Sequence, residues 1–436
     1  MYSARESERK TEANDPLWQF LDEAYSYPVR LFCLNTLFDQ YLQEDNISEL
    51  LKLVVAINSD RDFRYDIGVN LRLLHTGDRF EDEERYLEAG LLFSMVLPVE
   101  RLLFVVEDRL IEIEEWAFRN RANREVSKKE LLELETLREQ RLELVAAPKY
   151  TANLRWRQAR VLQLMEREYE AYFAFLRLVD NYPQHRHIEQ FRYATFTQGI
   201  KCDYLTEAML HGESYLAEPA YLLFEKPVAV RLAGLYARFE EIEKLSELAD
   251  SFLHRFPYEP VAAQMSHYLG QALFKKGMVQ RIIEDFPLWS AEYPDGAFID
   301  SVSYWLGMAY LFSGDFEAAL GTFNTLLENY PGSVYYQEAS FRRGVAYFGL
   351  GQYPEAREVF ESWLPDSSGH PLVPEAHVFM GDLDAIDARV ESALTHYRLV
   401  EATGGAMGLV KHAYFESAAL LLANKRYMEY DRILEQ

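Results

Sequence analysis

The stretch WLGMAYLFSGDFEAALGTFNTLLENYPGS, residues 305–333, decides how the rest of the chain is read. Gly307 near its start is followed 37 residues later by Gly344, in FRRGVAYFGLGQYPEAREVFESWL, and then by Gly381 and Ala418 at the same step. Backwards, the step lands on Gly270, Ala233, Phe196 and Ala159, so seven of eight positions hold Gly or Ala. A second column twelve residues on reads Ala171, Ala208, Leu245, Ile282, Ala319, Ala356, Ala393 and Tyr430. A third, four beyond that, reads Phe175, Gly212, Ala249, Phe286, Phe323, Phe360, Tyr397 and Leu434. A phase that never slips over this length is the mark of a repeat array.

The columns have the chemistry of paired helices. A small residue on the first helix lets its neighbour approach, a second small residue faces it from the second helix, and the aromatic one turn later fills the gap to the next unit. Turn formers such as SGD (313–315) and LGQ (350–352) stand between the two helices. A single pair cannot bury its apolar face, so stacking makes the core.

Gly307, Tyr310, Gly314, Phe316, Ala319, Phe323 and Pro331, followed by Gly344, Tyr347, Gly351, Tyr353, Ala356 and Phe360, resemble the tetratricopeptide repeat signature. The resemblance implies an all-α, right-handed superhelical solenoid of antiparallel helix pairs. About eight repeats of period 37 are expected over residues 151–436. The three residues beyond the usual 34 are assigned to the links around Pro183, Pro257, Pro294 and Pro331, where proline stops the second helix. An aromatic precedes each of these prolines, and such links resemble those of bacterial cell-envelope members of the family.

Two irregularities are expected in the array. The copy around Phe196 has a large residue where the helices should meet, with Gly212 in place of an aromatic, and reads as distorted. LPDSSGHPLVPEAH (364–377) reads as a longer link than its neighbours. The last unit leaves little room for a capping helix before Gln436, which would allow homo-oligomerisation through the C-terminal repeat.

Residues 1–98 show no 37-residue lock and read as an irregular helical region, either degenerate pairs of the same stack or a separate cap, the first being favoured. PLWQFLDEAYSYPVRLFCLNTLFDQYL (16–42) reads as a helix pair, and LEAG within 84–97 resembles a decayed repeat. Residues 99–150 read as a long helix or helical hairpin arm: Val99 to Ala147 holds neither Pro nor Gly, and apolar residues at 102, 103, 106, 110 and 113 form a stripe. One continuous helix would extend about 70 Å. Two antiparallel helices joined near residues 120–128 fit a compact chain better, and such an arm is a candidate docking element.

The 436 residues carry a net charge of −25, which argues against nucleic acid or an anionic membrane as the main partner. Two cysteines, Cys33 and Cys202, are too few for a disulfide framework and read as buried thiols. The first residues lack the apolar run of a signal peptide, and GLLFSMVLPVERLLFVV (90–106) is interrupted by Pro98, Glu100 and Arg101, so no membrane-spanning segment is expected. A cytoplasmic location follows; a processed or trimmed chain of the periplasm or cell envelope would read identically.

No phosphate-cradling glycine run, HExxH, nucleophile elbow or nucleotide fingerprint occurs. His185 and His187 lie two apart at a repeat junction and would need further ligands to hold zinc. Glu112 and Glu115 share a helix face and fit solvated surface better than paired catalytic carboxylates, and His267 has no nucleophile partner in the pattern. The expectation is no enzyme and no cofactor.

Resemblance to the family implies protein or peptide binding on the concave face, lined by first-helix positions flanking the small residue. These map to Tyr268, Ser303, Tyr304, Phe341 and Arg342. The basic residues available to clamp a carboxylate are Arg342, Arg343, Lys275 and Lys276, so a partner with a basic or mixed surface is the better match to an acidic chain. The alternative is a small-molecule or glycan binding module with an aromatic-lined groove, for which Tyr304 with Trp305 is the pair to watch.

Overall fold

The computed structural model describes residues 16–23, 26–120, 128–147 and 149–434. The start of the chain and the expected joint near 120–128 therefore lie largely outside the described residues. Among the described residues the fold is all-helical, without strands. It divides into two compact units, residues 1–224 and 225–436.

The first unit contains α1 (16–23), α2 (Tyr27–Gln43), α3 (Ile47–Ser59), α4 (Arg61–Arg64), α5 (Ile67–Asp82), α6 (Tyr86–Met95), α7 (Val99–Asn120), α8 (Lys128–Ala146), α9 (Thr151–Leu164), α10 (Glu168–Asn181), α11 (Ile188–Lys201) and α12 (Leu205–Leu216). The second contains α13 (Glu225–Phe239), α14 (Ile242–Arg255), α15 (Pro260–Lys275), α16 (Val279–Glu292), α17 (Ile299–Ser313), α18 (Phe316–Asn329), α19 (Tyr336–Gly349), α20 (Tyr353–Asp366), α21 (Val373–Ile386), α22 (Val390–Ala402), α23 (Met407–Ala423) and α24 (Tyr427–Leu434).

One backbone device joins the helices of each pair. A left-handed residue ends the first helix, and the next N–H bonds to the carbonyl five residues back, as in Gly314 with Asp315 N–H to Tyr310 O at 3.0 Å. The left-handed residues at these turns, from Glu166 on, are Asp203, Glu240, Gly277, Gly314, Gly351, Ala388 and Lys425, each 37 after the last, while Gly369 and Gly404 take the same region in links after second helices. Only three of these are glycine. The same turn occurs at Asp45 and at Glu84, so α2 with α3 and α5 with α6 are pairs of the same build.

The small-residue columns do what their spacing predicts. A Cβ on Gly307 would stand 2.6 Å from the Phe323 ring, and one on Gly344 2.6 Å from Phe360. Phe323 and Phe360 are fully buried, each worth about 1.5–3 kcal/mol of transfer free energy. In α11 the close approach has moved one turn. Phe196 is fully buried, and Gly199 takes the contact with α12, its added Cβ lying 3.4 Å from Ala208. The pair expected to be distorted is therefore two ordinary helices.

The links at 182–187, 293–298, 330–335 and 367–372 are all six residues long and carry the surplus length, whereas the one around Pro257, 256–259, is four residues because the next helix begins early at Pro260. In each, two successive three-residue bonds set the entry to the next helix, as in Ser333 N–H to Tyr330 O and Tyr336 N–H to Ser333 O. The link at 364–377 is thus no longer than its neighbours: Pro365 falls inside the last turn of α20 and Pro374 inside the first turn of α21.

By length and apolar content Tyr86–Arg119 would suffice to cross a membrane. Residues 96–98 split it into two helices, and Ala89, Leu92, Phe93, Val96, Val99 and Leu102 are buried in the fold. Beyond that break α7 and α8 form a hairpin. Leu102 shares a core with Leu144, and Glu107–Arg141 and Glu114–Arg138 pair at 2.9 and 2.7 Å, so along this series rising numbers on α7 meet falling numbers on α8 and the two run antiparallel, with Arg109–Glu133 at 2.9 Å as a further link.

Candidate partner-binding groove

Three first helices of the second unit, α13, α15 and α17, lie side by side. A groove of about 580 Å³ runs along them, lined by Gly234, Ala237 and Arg238, by Tyr268, Gln271, Ala272, Phe274 and Lys275, and by Trp305. Glycine makes the room. A Cβ on Gly234 would lie 3.4 Å from the Tyr268 ring, and one on Gly270 only 2.3 Å from the Trp305 indole. Each aromatic therefore lies down on the backbone of the preceding first helix.

Trp305 packs against His267 and Phe274 with ring centroids 5.8 and 5.9 Å away and is 8% exposed. Its Nε1–H is buried without an acceptor. An unmet donor in such a place costs about 1–3 kcal/mol until a partner supplies an oxygen. At the rim Lys275 is exposed, its Nζ 3.6 Å from Glu240, which Lys276 also reaches. The groove thus offers an aromatic wall, one desolvated donor and a cationic edge.

Of the residues expected to line a concave face, Tyr268 is in this groove. Ser303 is half-buried. Arg342 is spoken for: it donates to Glu375 of α21 at 2.7 Å and lies over the Phe341 ring. Two expectations are corrected. Phe341 has no exposed surface and packs among Phe360, Trp363 and Phe379. Tyr304 is 5% exposed, stacked on Tyr335 at 4.7 Å, with its hydroxyl donating to Glu338. Burial and that carboxylate hold the Tyr304 hydroxyl protonated far above its usual range. Tyr304 therefore has no open face for a sugar.

The distinction is one helical position. Residues two before the small column, Tyr268 and Trp305, border the groove, whereas those three before it, Tyr304 and Phe341, turn into the core. Gln271 was missed as a groove residue, and Trp305 was named only for the alternative, aromatic-lined groove. Gly234, directly after Ala233 of the small column, is the sequence signal that marks the open side.

The other singled-out groups have structural roles. His185 Nδ1 accepts the His187 N–H at 3.2 Å, as Ser333 Oγ accepts Tyr335 N–H and His370 Nδ1 accepts Leu372 N–H in equivalent links. Among the described residues no three His, Cys, Asp or Glu side chains gather as a metal site. Glu112 and Glu115 pair with Arg109 and Arg119 on the surface. His267 bonds to the Tyr335 hydroxyl at 2.9 Å, and burial lowers its pKa. Cys33 and Cys202 are buried thiols.

The tetratricopeptide repeat family model matches residues 304–371. No curated protein matches the chain. Solved structures similar to it include a tetratricopeptide repeat protein from Parabacteroides merdae, at 15% identity over 60% of this chain and 96% of that one, with a TM-score of 0.41. The apo form of RapI is similar at 13% identity over 82% and 99%, with a TM-score of 0.45. YrrB, described as a tetratricopeptide protein with an unusual peptide-binding site, is similar at 20% identity over 48% and 96%, with a TM-score of 0.33.

Proposed function

We propose that this tetratricopeptide-repeat chain is a protein-binding scaffold with no chemistry of its own, and that its second unit takes a segment of the partner in the Tyr268–Trp305 groove. The observation that carries the reading is the buried Trp305 Nε1–H beside an open groove, a donor without an acceptor in the free chain. A backbone carbonyl of an extended segment supplies that acceptor, its apolar side chains lie on Tyr268 and Phe274, and Lys275 meets carbonyl or carboxylate groups at the edge. The wider surface is acidic, with a net charge of −25 over the chain, so the partner's flanking surface is basic or mixed.

The test is crosslinked capture from the native cells with the full chain as bait, run beside Tyr268→Ala and Lys275→Glu. A discrete protein recovered by the parent and lost by both variants is the expected result. Turnover of a substrate by the purified protein, or capture indifferent to both changes, overturns the reading.

A further inference from the structure

The hairpin α7–α8 is an insertion into the array. The turns at Glu84 and Glu166 stand 82 residues apart, 45 more than the 37-residue step. Yet α9 packs on α5 and α6 as the next first helix should. Leu154 and Val161 share the core of Leu92 and Phe93, and Gln158 Nε2 donates to the Phe93 carbonyl at 2.7 Å. Residues of α5, of α9 and of the start of α11 then line one cavity of about 390 Å³. In it His75 and Arg157 stand two before Gly77 and Ala159, and Asp78 and Arg160 one after. Tyr268 and Trp305, and Gly234 and Gln271, hold those same two positions in the groove of the second unit. The cavity is therefore on the corresponding face of its own helix pairs.

Its inner wall is aromatic, with half-buried Trp156 packed on buried Phe191 at 5.4 Å between ring centroids. The charges are unevenly matched. Glu81, 6% exposed, takes Arg157 at 3.0 Å and Arg160 at 3.2 Å, and Asp78 takes Arg157 at 3.2 Å. Two carboxylates thus balance two guanidinium groups and hold them in place. Arg186 is left over. It is exposed, and neither it nor His75 nor His187 pairs with a carboxylate among the described residues. The side-chain amides of Asn153 and Gln190 meet no protein acceptor there either. Gln190 stands in the first turn of α11, whose unpaired backbone N–H groups add partial positive charge. Asp78 is the one carboxylate among the described residues lining the cavity. Within a chain of net charge −25, this recess holds a surplus of donors and of positive charge.

We propose that this cavity binds an oxyanion, the phosphoryl or carboxylate group of a ligand whose apolar part lies against Trp156. Arg186 supplies the uncompensated charge, and its planar guanidinium can offer two parallel N–H groups to a pair of oxygens. Asn153 and Gln190 supply neutral donors. Arg160, already fixed by the buried Glu81, turns its remaining N–H groups to the ligand at little cost in side-chain freedom. A cationic ligand would be repelled by Arg186, and a neutral one would leave that charge unmatched. The proposal concerns the first unit and is independent of the groove in the second.

The test uses the full-length chain and three capped amino acids as probes: N-acetyl-phosphoserine amide, N-acetyl-glutamate amide and N-acetyl-glutamine amide. Calorimetric titration is expected to show at least one anionic probe bound about tenfold or more tighter than the glutamine probe, with affinity that weakens as salt is added. The tighter of the two anionic probes names the source of the oxyanion. Arg186→Glu is expected to abolish binding and Arg186→Ala to weaken it severalfold, both with an unchanged melting temperature, since Arg186 has no protein partner to lose. Asp78→Asn keeps the shape of the side chain, removes the opposing charge and releases part of Arg157. It is expected to tighten binding severalfold, an effect that a merely structural site would not show. Equal binding of the three probes, no binding of either anionic probe at millimolar concentration, affinity indifferent to both Arg186 variants, or affinity lowered by Asp78→Asn overturns the proposal.

Discussion

The ring of Phe93 fills the space where a side chain on Gly77 would stand, a Cβ there lying 2.5 Å from the ring. Gly307 with Phe323, Gly344 with Phe360 and Gly381 with Tyr397 stand in the same relation, each pair 16 residues apart. Ala89, twelve residues after Gly77, is fully buried as the matching small residue of the second helix. Residues 67–95 are therefore a repeat of the same construction, thrown out of phase by the inserted hairpin.

If that equivalence is physical, Gly77→Val costs the first unit as much as Gly344→Val costs the second. Overpacking against a buried ring is expected to destabilise each by about 2 kcal/mol. Gly321, inside α18 with nothing within 4 Å of an added Cβ, is the control. Gly321→Ala is expected to stabilise by about 0.5–1 kcal/mol through helix propensity alone. Urea unfolding of the full chain, followed by circular dichroism, reads all three. Equal and small effects at Gly77 and Gly321 would deny the front repeat.

The turn gives a second prediction of opposite sign. Ala388 holds φ 58° on an exposed surface at the end of α21. An L-residue there pays for its Cβ, whereas glycine does not. Ala388→Gly is expected to raise stability by up to about 1 kcal/mol. Gly351→Ala, at φ 73° in the equivalent turn, is expected to lose a similar amount. A thermal melt of the two variants side by side decides it.

These turns also explain what was legible in the sequence. From Ala159 onward no insertion breaks the 37-residue step, so small residues alone reveal the phase. Before it, the hairpin hides the pair at 67–95, and only the Leu-Glu-Ala-Gly segment hinted at it. Glycine marks the turn at 277, 314 and 351, while Asp45, Glu84, Glu166, Asp203, Glu240, Ala388 and Lys425 adopt the same backbone without it. Tyr268, two before the small column, stands where the spacing put it and borders the groove. Phe341 and Tyr304 were misplaced because a helix in a stack buries more than one face, and an aromatic in the pattern does not say which way it points.

Acid should loosen the second unit at α21 and α22. His377 and His396 approach Nδ1 to Nδ1 at 3.1 Å, so one must be a proton acceptor. Burial, and then His396, push the pKa of His377 from 6.5 to about 4. Burial lowers His396 as well, Arg357 adding to it while Asp384 and Glu361 oppose. The unfolded chain binds these protons first, so the stability of the neutral pair is intact above about pH 6.5 and drains away as pH falls towards 4. His377→Gln is expected to shrink that loss, measured as the difference in urea midpoint between pH 7 and pH 4.5. An unchanged difference would mean the pair does not titrate as its burial requires.

Trp305 separates binding from folding. Trp305→Phe removes an Nε1–H that has no acceptor in the free chain, so no hydrogen bond is lost on substitution. The relief of a buried unmet donor, about 1–3 kcal/mol, works against the packing lost with the smaller ring, and the net change in stability is expected to stay within about 1 kcal/mol. Binding behaves otherwise, because the partner's oxygen then enters the groove with nothing to meet it. Affinity for the captured partner is expected to fall about tenfold, roughly 1.4 kcal/mol. Gly270→Ala is the complementary variant. Its Cβ, 2.3 Å from the indole, forces the ring off the backbone of α15 and is expected to lower both affinity and stability. Calorimetric titration beside a melt distinguishes the two patterns. A Trp305→Phe chain that melts early and binds normally would return this tryptophan to the core and take the groove with it.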